Sequence, residues 1–182
     1  MHEEAGPAPQ LLDASGAKCV ALGFGSNLGD RREHLRRGLS YLAHYVRVTA
    51  VSSLFETAAV GLVDQPAFLN AVALTETTAP PQQVLDWALQ AEQAEGRERG
   101  IRWGPRTLDV DVLLYASVTV VTPRLVIPHP RLAERAFVLA PLAELAPDWL
   151  HPNLQKPIAS LLAEVGTAGI TRIEGPGWQS TP

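Results

Sequence analysis

Arg102-Trp103-Gly104-Pro105-Arg106-Thr107-Leu108-Asp109-Val110-Asp111-Val112-Leu113-Leu114-Tyr115 runs from an arginine-bearing turn straight into a strand with two aspartates two residues apart. Side chains alternate faces along an extended strand. Leu108, Val110, Val112 and Leu114 are therefore expected in a core, while Asp109 and Asp111 share the opposite face. Two carboxylates about 6.5–7 Å apart on one strand face suit a hard cation. Mg2+ takes a few carboxylates and completes its octahedron with water and phosphate oxygens. The same alternation also describes an edge strand whose polar face is simply solvated. Leu113 and Tyr115 argue against plain solvation, because the Asp-bearing face turns apolar at its far end, and charges beside covered surface call for partners.

The flanking sequence supplies the rest of a sheet. A strand over 19–25 stops at the turn-rich run Gly25-Ser26-Asn27-Leu28-Gly29-Asp30, and Asp30 can cap a helix over 31–45 with Leu35, Leu39 and Leu42 on its inner stripe. A β-branched strand over 46–55, a loop over 56–67 and a third strand over 68–75 follow. Pro80-Pro81 opens a second helix to residue 95, with Val84, Leu85, Ala88 and Leu89 at core spacing, and Gly96 marks its end. After the strand at 108–115 come a short strand at 118–121 and helices at 137–145 and 158–164. Strand, helix, strand, strand, helix, strand is the split βαβ order of an α+β, ferredoxin-like sandwich. Its sheet is mainly antiparallel, with the helices expected on one face and the site on the other. Residues 1–17 are expected as a flexible leader, 18–165 as a single catalytic domain, and 166–182 as a flexible tail rich in Gly, Pro and Thr.

Composition narrows the function classes. The 182 residues are 46% hydrophobic, enough for one ordinary domain with a real core, and the formal charge of −4 argues against a broad nucleic-acid surface. Local charge differs, since Arg97, Arg99, Arg102 and Arg106 are diluted only by Glu98. A solvated loop and an anion-binding loop both fit that run. The single Cys19 cannot form an internal disulfide, and its apolar neighbours imply a buried, reduced thiol, consistent with the cytoplasm. The start Met1-His2-Glu3-Glu4 lacks the features of a secretory signal, and no apolar run is long enough to span a bilayer, so no membrane partner is expected. Five histidines without paired helical spacing give zinc little support.

Three further segments carry chemistry. Gly25-Ser26-Asn27 can present backbone N–H groups to an anion or polar ring, or serve as a plain turn. Phe68 and Asn70 fall on the same side of the third strand. A ring for stacking plus an amide with both donor and acceptor can read a flat heterocycle, although a Phe there also suits a core. Pro128-His129-Pro130-Arg131 with Arg135-Ala136-Phe137 gathers a histidine, two cations and an aromatic in one turn-rich segment, and the flanking prolines hold His129 in a loop.

Taken together, these segments resemble the 6-hydroxymethyl-7,8-dihydropterin pyrophosphokinases of folate biosynthesis. The resemblance runs from about Val20 to Leu145 and rests on five stretches in the family's order and spacing. They are Gly25-Ser26-Asn27-Leu28, Asp64-Gln65-Pro66 through Asn70, Gly96-Arg97-Glu98-Arg99, Arg102 through Asp111, and Pro128-His129-Pro130 with Arg135-Ala136-Phe137. It implies transfer of the pyrophosphoryl group of ATP, the co-substrate, to the hydroxymethyl oxygen of the dihydropterin, releasing AMP. It implies that Asp109 and Asp111 hold two Mg2+ ions, and that Arg99 and Arg106 act with them in catalysis. It assigns Glu92, Arg97, Arg99, Arg106, His129 and Arg135 to ATP, and Thr57, Val60, Phe68, Asn70 and Phe137 to the pterin. Trp103 belongs to a loop over 96–104 expected to close over the nucleotide, and Asp111 or a water beside it is the expected proton acceptor. The chain departs from the family pattern at Phe68, where Tyr is frequent, at Leu89, where Gln is common, and at Pro130, which replaces an aromatic.

A two-metal phosphodiesterase would use the same aspartates but would want a longer basic track. A non-catalytic nucleotide-binding module could use the arginines but would have no need of a heterocycle site. The partners expected are small molecules, with the protein a monomer or weak homodimer.

Overall fold

Cys19 through Leu22 and Leu69 through Thr75 are buried without a break, as strands covered on both faces must be. The computed structural model describes residues 16–58, 65–96 and 106–180. In chain order these form β1 (Lys18–Ser26), α1 (Arg31–Leu42), β2 (Arg47–Val51), β3 (Leu54–Thr57), β4 (Phe68–Thr77) and α2 (Pro81–Ala94). They continue as β5 (Asp109–Tyr115), β6 (Val120–Val121), β7 (Val126–Ile127), α3 (Ala136–Leu145), α4 (Ile158–Val165) and β8 (Ile170–Glu174). The main sheet is ordered β5-β1-β4-β3-β8, with β2 also on β4, and its pairings are antiparallel. This is the expected α+β, ferredoxin-like arrangement, with β5 at the sheet edge.

Local signals explain most element ends. The Asp30 side chain accepts from Glu33 N at 3.1 Å and caps α1, and Pro81 opens α2, where a missing N–H costs nothing. The strand expected over 46–55 is divided into β2 and β3. At the break the Ser52 hydroxyl accepts from Val72 N at 2.9 Å in place of a regular ladder bond, and the Ser53 hydroxyl donates to Glu144 at 2.7 Å.

On one face Val20, Leu22 and Phe24 pack with Leu35, Leu39 and Leu42 of α1 and Val84, Ala88 and Ala91 of α2. Each buried Leu or Val there contributes about 1.5–3 kcal/mol. The expectation of helices on one face alone holds for α1 and α2 only. On the other face α3 and α4 place Val138, Leu139, Leu142, Ile158 and Leu161 over Cys19, Ala21, Val72, Leu74 and Leu113. Those strand residues form an apolar half-face that water would otherwise meet, so it too is covered.

Two other expectations are corrected. The β1–β5 register shifts between Ala21 and Leu22, leaving an extra residue on β5. Such a bulge resets the alternation. Leu114 therefore joins the α3–α4 cluster and Tyr115 the α1–α2 core, the reverse of what strict alternation predicts. The stretch from 166 is also no loose tail over its described residues. Ile170–Glu174 pairs with β3, and Trp178, 2% exposed, enters the core. Pairing along β3 and burial of a lone tryptophan outweighed the Gly- and Pro-rich composition. The leader expected over 1–17 lies outside the described residues up to position 15.

Candidate functional site

The site grows out of three neighbouring strands. Gly25 of β1 is paired with Asn70 of β4 on one side and Asp109 of β5 on the other, and Gly23 is paired with Val72 and Asp111. The two rows lie on the face that α3 and α4 cover farther along. Where that cover ends, a cavity of about 430 Å³ opens, lined by Gly23, Gly25, Thr57, Phe68, Asn70, Arg106, Asp109, Asp111, Arg135 and Phe137, among others. Its floor is backbone at the two glycines. A methyl on Gly25 would stand 3.5 Å from Asn70 Oδ1, 3.8 Å from Phe68 Cδ1 and 4.0 Å from Asp109 Cβ. Gly25 therefore sits between the carboxylates and the aromatic end, and both ends open into one space.

Two arginines and a histidine face the acidic end. Arg106 Nη1 pairs with Asp109 Oδ2, Arg135 Nη1 stands 3.8 Å from Asp111 Oδ2, and His129 Nε2 stands 3.9 Å from the same oxygen. The Arg135 guanidinium also lies 5.6 Å from the centroid of the Phe137 ring, tying the two ends of the cavity together. Burial pushes the pKa of Arg135 below its ordinary value, and Asp111 opposes the shift. Burial, and then the positive charge of Arg135, pushes His129 down to about 4. At neutral pH its ring is therefore uncharged. Arg131 N donates to His129 Nδ1 at 3.2 Å, so the ring's own hydrogen sits on Nε2, directed to the Asp111 side.

Around this centre the supports are buried. Asn27 ties the turn after β1 to the start of β5. Its N donates to Arg106 O at 3.0 Å and its Oδ1 accepts from Arg106 N at 2.7 Å, which sets the arginine's backbone. Asn70 Nδ2 donates to Thr57 Oγ1 at 3.0 Å, joining two residues expected at the heterocycle. Glu92 is 5% exposed and accepts from Val110 N at 2.9 Å, so its carboxylate covers the outer edge of β5 between the two aspartates.

Thr57, Phe68, Asn70, Arg106, Asp109, Asp111, Arg135 and Phe137 thus line a single cavity. His129 stands beside Asp111, and Glu92 lies behind the strand. Val60, Arg97, Arg99 and Trp103 lie outside the described residues. Among the described residues no group of three or more His, Cys, Asp or Glu side chains is placed to hold a metal, so a cation there would rest on the Asp109–Asp111 pair and on non-protein oxygens. Sequence reasoning missed the glycine floor and the wall formed by Ala168, Gly169 and Ile170. The floor had a signal, since glycines at alternate positions of a strand mark a close approach to its backbone.

Residues 21–147 match the family 7,8-dihydro-6-hydroxymethylpterin-pyrophosphokinase (HPPK). A Bacillus subtilis protein named 2-amino-4-hydroxy-6-hydroxymethyldihydropteridine pyrophosphokinase is 46% identical over 126 residues, covering 68% of this chain and 75% of that one. A Pseudomonas aeruginosa protein of the same name is 43% identical over 159 residues, covering 86% and 97%. Among solved structures, wild-type Plasmodium falciparum HPPK-DHPS superposes with a TM-score of 0.66 at 14% identity. That match covers 86% of this chain and 48% of the other, so the chain spans about half of that protein, and the likeness speaks for the fold.

Proposed function

The chain belongs to the 7,8-dihydro-6-hydroxymethylpterin-pyrophosphokinase family, and on that premise we propose that it transfers the pyrophosphoryl group of ATP to the hydroxymethyl oxygen of 6-hydroxymethyl-7,8-dihydropterin, giving AMP and the pterin diphosphate. One observation carries the reading. Asp109 and Asp111 open into the same cavity as Phe68, Asn70 and Phe137, across a floor of glycine backbone. A triphosphate site and a heterocycle site in contact are what a two-substrate transfer needs.

The carboxylates suit Mg2+. They are hard oxygen donors on one strand face, partly open, with room for phosphate and water to complete the coordination. Bound there, the ions would neutralise the triphosphate and make the attacking hydroxyl more acidic. The chain's own residues do the rest. Arg106 and Arg135, each beside an aspartate, bring planar forks that match phosphate oxygens. Arg97 and Arg99 keep the ATP-side roles implied by the resemblance. Phe68 and Phe137 bound a flat ring, and the Asn70 amide, oriented by Thr57, reads its edge. His129 makes a poor base. Its pKa is near 4, its Nδ1 is taken by Arg131 N, and its Nε2 already carries hydrogen, so it acts as a donor toward the phosphates. That supports Asp111, or a water beside it, as the proton acceptor. The donation from Val110 N to Glu92 supports a role in holding β5 in place ahead of direct nucleotide contact.

No helix among the described residues is long and apolar enough to cross a membrane. The buried, unpaired Cys19 supports a reducing, cytoplasmic setting. The activity is tested by mixing protein, Mg2+, ATP and the dihydropterin alcohol and separating the nucleotides. AMP that depends on dihydropterin is expected. ADP would refute pyrophosphoryl transfer, and no turnover would favour a binding module.

A further inference from the structure

The cavity that holds Thr57, Phe68 and Phe137 is also lined by Ala168, Gly169 and Ile170. That last wall is a tight turn. Ile170 N donates to Thr167 O at 3.2 Å, and Gly169 has φ +76°, the value that the third residue of a type II turn requires and that glycine adopts without strain. From the turn β8 runs along β3 with Ile170 opposite Thr57, and Thr57 is in turn opposite Phe68. Wall, hydroxyl and ring are thus consecutive positions across the sheet.

A short edge strand with mostly exposed side chains has little to hold it in place. Its anchor lies beyond the sheet edge. Trp178 is buried in the α1–α2 core, on the face away from the cavity, and its indole N–H donates to Ser52 O at 2.8 Å. Arg32 of α1 grips the same segment, donating to Glu174 Oε1 at 2.8 Å and to Trp178 O at 3.1 Å. The chain crosses from one face to the other as a strap fastened at the far side, and Trp178 itself does not line the cavity.

We propose that this strap is the specificity wall of the heterocycle half-site: the turn Thr167–Ile170 limits the ring size admitted, and Trp178 is the positioning residue that holds the turn in place. The proposal rests on the pyrophosphokinase reading of the cavity. It is tested on the full chain by calorimetric titration with 6-hydroxymethyl-7,8-dihydropterin and, separately, with Mg2+ and a non-hydrolysable ATP analogue. Ile170→Ala, at a half-buried edge position that should leave the fold intact, is expected to weaken heterocycle binding about tenfold, the low end for methylenes lost from an apolar pocket. Nucleotide affinity should stay within about twofold, the remote half-site keeping its contacts. At least one of a set of ring-methylated pterins should gain on the parent compound in this variant. Trp178→Ala should give the same split, and Trp178→Phe should restore much of it. Equal losses for both ligands, or no loss in Ile170→Ala, would overturn the wall. Should Trp178→Ala not fold, Ile170→Ala and the methylated series decide. AMP formation by the unaltered protein is assayed alongside. Its absence with the binding split intact would sink the catalytic reading and leave the wall standing.

Discussion

Gly25→Ala is expected to preserve the fold and damage the cavity. Gly25 lies between Asn70 and Asp109 in the sheet, and the added methyl would meet its nearest atoms at 3.5, 3.8 and 4.0 Å, all ordinary contact distances. No neighbour has to move. The backbone there is outside the left-handed region, so alanine adopts it without strain. Replacing a strand glycine also lowers the entropy of the unfolded chain, worth about 0.5–1 kcal/mol to the folded state. Stability should therefore hold or rise. The methyl instead enters the floor between the carboxylates and the aromatic end, where a bound ring and its hydroxymethyl arm must lie. Overfilling a packed site by a methyl costs about 1–3 kcal/mol, or roughly 5- to 160-fold in Kd. Thermal unfolding and calorimetric titration with the dihydropterin check both halves. A folded variant with unaltered heterocycle affinity would refute the placement of the ligand. A fall in Tm of more than about 4 °C, the shift for about 1 kcal/mol at this size, would refute the claim that the methyl has room.

Asp109→Asn and Asp111→Asn are each expected to lower kcat by about 100-fold or more, the usual loss when electrostatic stabilisation of a transition state is removed, and to weaken the Mg2+ dependence of ATP-analogue binding; unchanged kcat in either variant would remove that aspartate from the metal site. Glu92→Ala leaves the Val110 N–H without its acceptor and should destabilise the protein by about 1–3 kcal/mol in urea unfolding, whereas Glu92→Gln keeps an oxygen there and should retain most of the stability and the ATP-analogue affinity; a selective loss of nucleotide binding in Glu92→Gln would make it a ligand contact instead. His129 is held near pH 4 against an unfolded value of 6.5, so the unfolded state binds the extra proton between those values. Its neutral form stabilises the fold fully above pH 6.5, and that contribution is lost as pH falls toward 4, by at most about 1.4 kcal/mol per pH unit. The stability gap between the parent and His129→Gln in metal-free buffer should follow that curve, and a pH-independent gap would refute the burial argument.

Much of the fold was legible because its core strands β1 and β4 read as near-continuous apolar runs, the mark of strands covered on both faces. The strand bearing Asp109 and Asp111 shows where that legibility ended. It is an edge strand, as the plain solvated reading required, yet its polar face lines a cavity and meets Arg106 and Arg135. Alternation supplies the direction of a side chain and nothing about what lies opposite. The bulge at Leu113 was invisible for a related reason, since a reset of register is decided by the partner strand β1 and leaves no mark in the residues of β5. Glu92 is assigned to the nucleotide by the resemblance alone, and the bond it accepts from Val110 N had no signal in the sequence, since only the packing of α2 on β5 creates it. Trp178 had a signal, a large aromatic in a polar tail, which composition alone obscured.

The same sheet face does two opposed jobs, and the boundary between them is sharp. Toward one end Ala21, Leu74 and Leu113 pack in an apolar cluster beneath α3 and α4, while toward the other Gly23 and Gly25 leave bare backbone beside charged side chains. Each glycine in a strand costs about 0.5–1 kcal/mol relative to alanine, and the partly buried Arg135 and His129 carry desolvation costs of their own. These costs are concentrated on the few residues around the cavity, while the apolar end of the face offsets them. Substitutions that raise stability around Gly25 should therefore lower ligand affinity, and substitutions that only improve packing beneath α3 and α4 should raise stability without that loss.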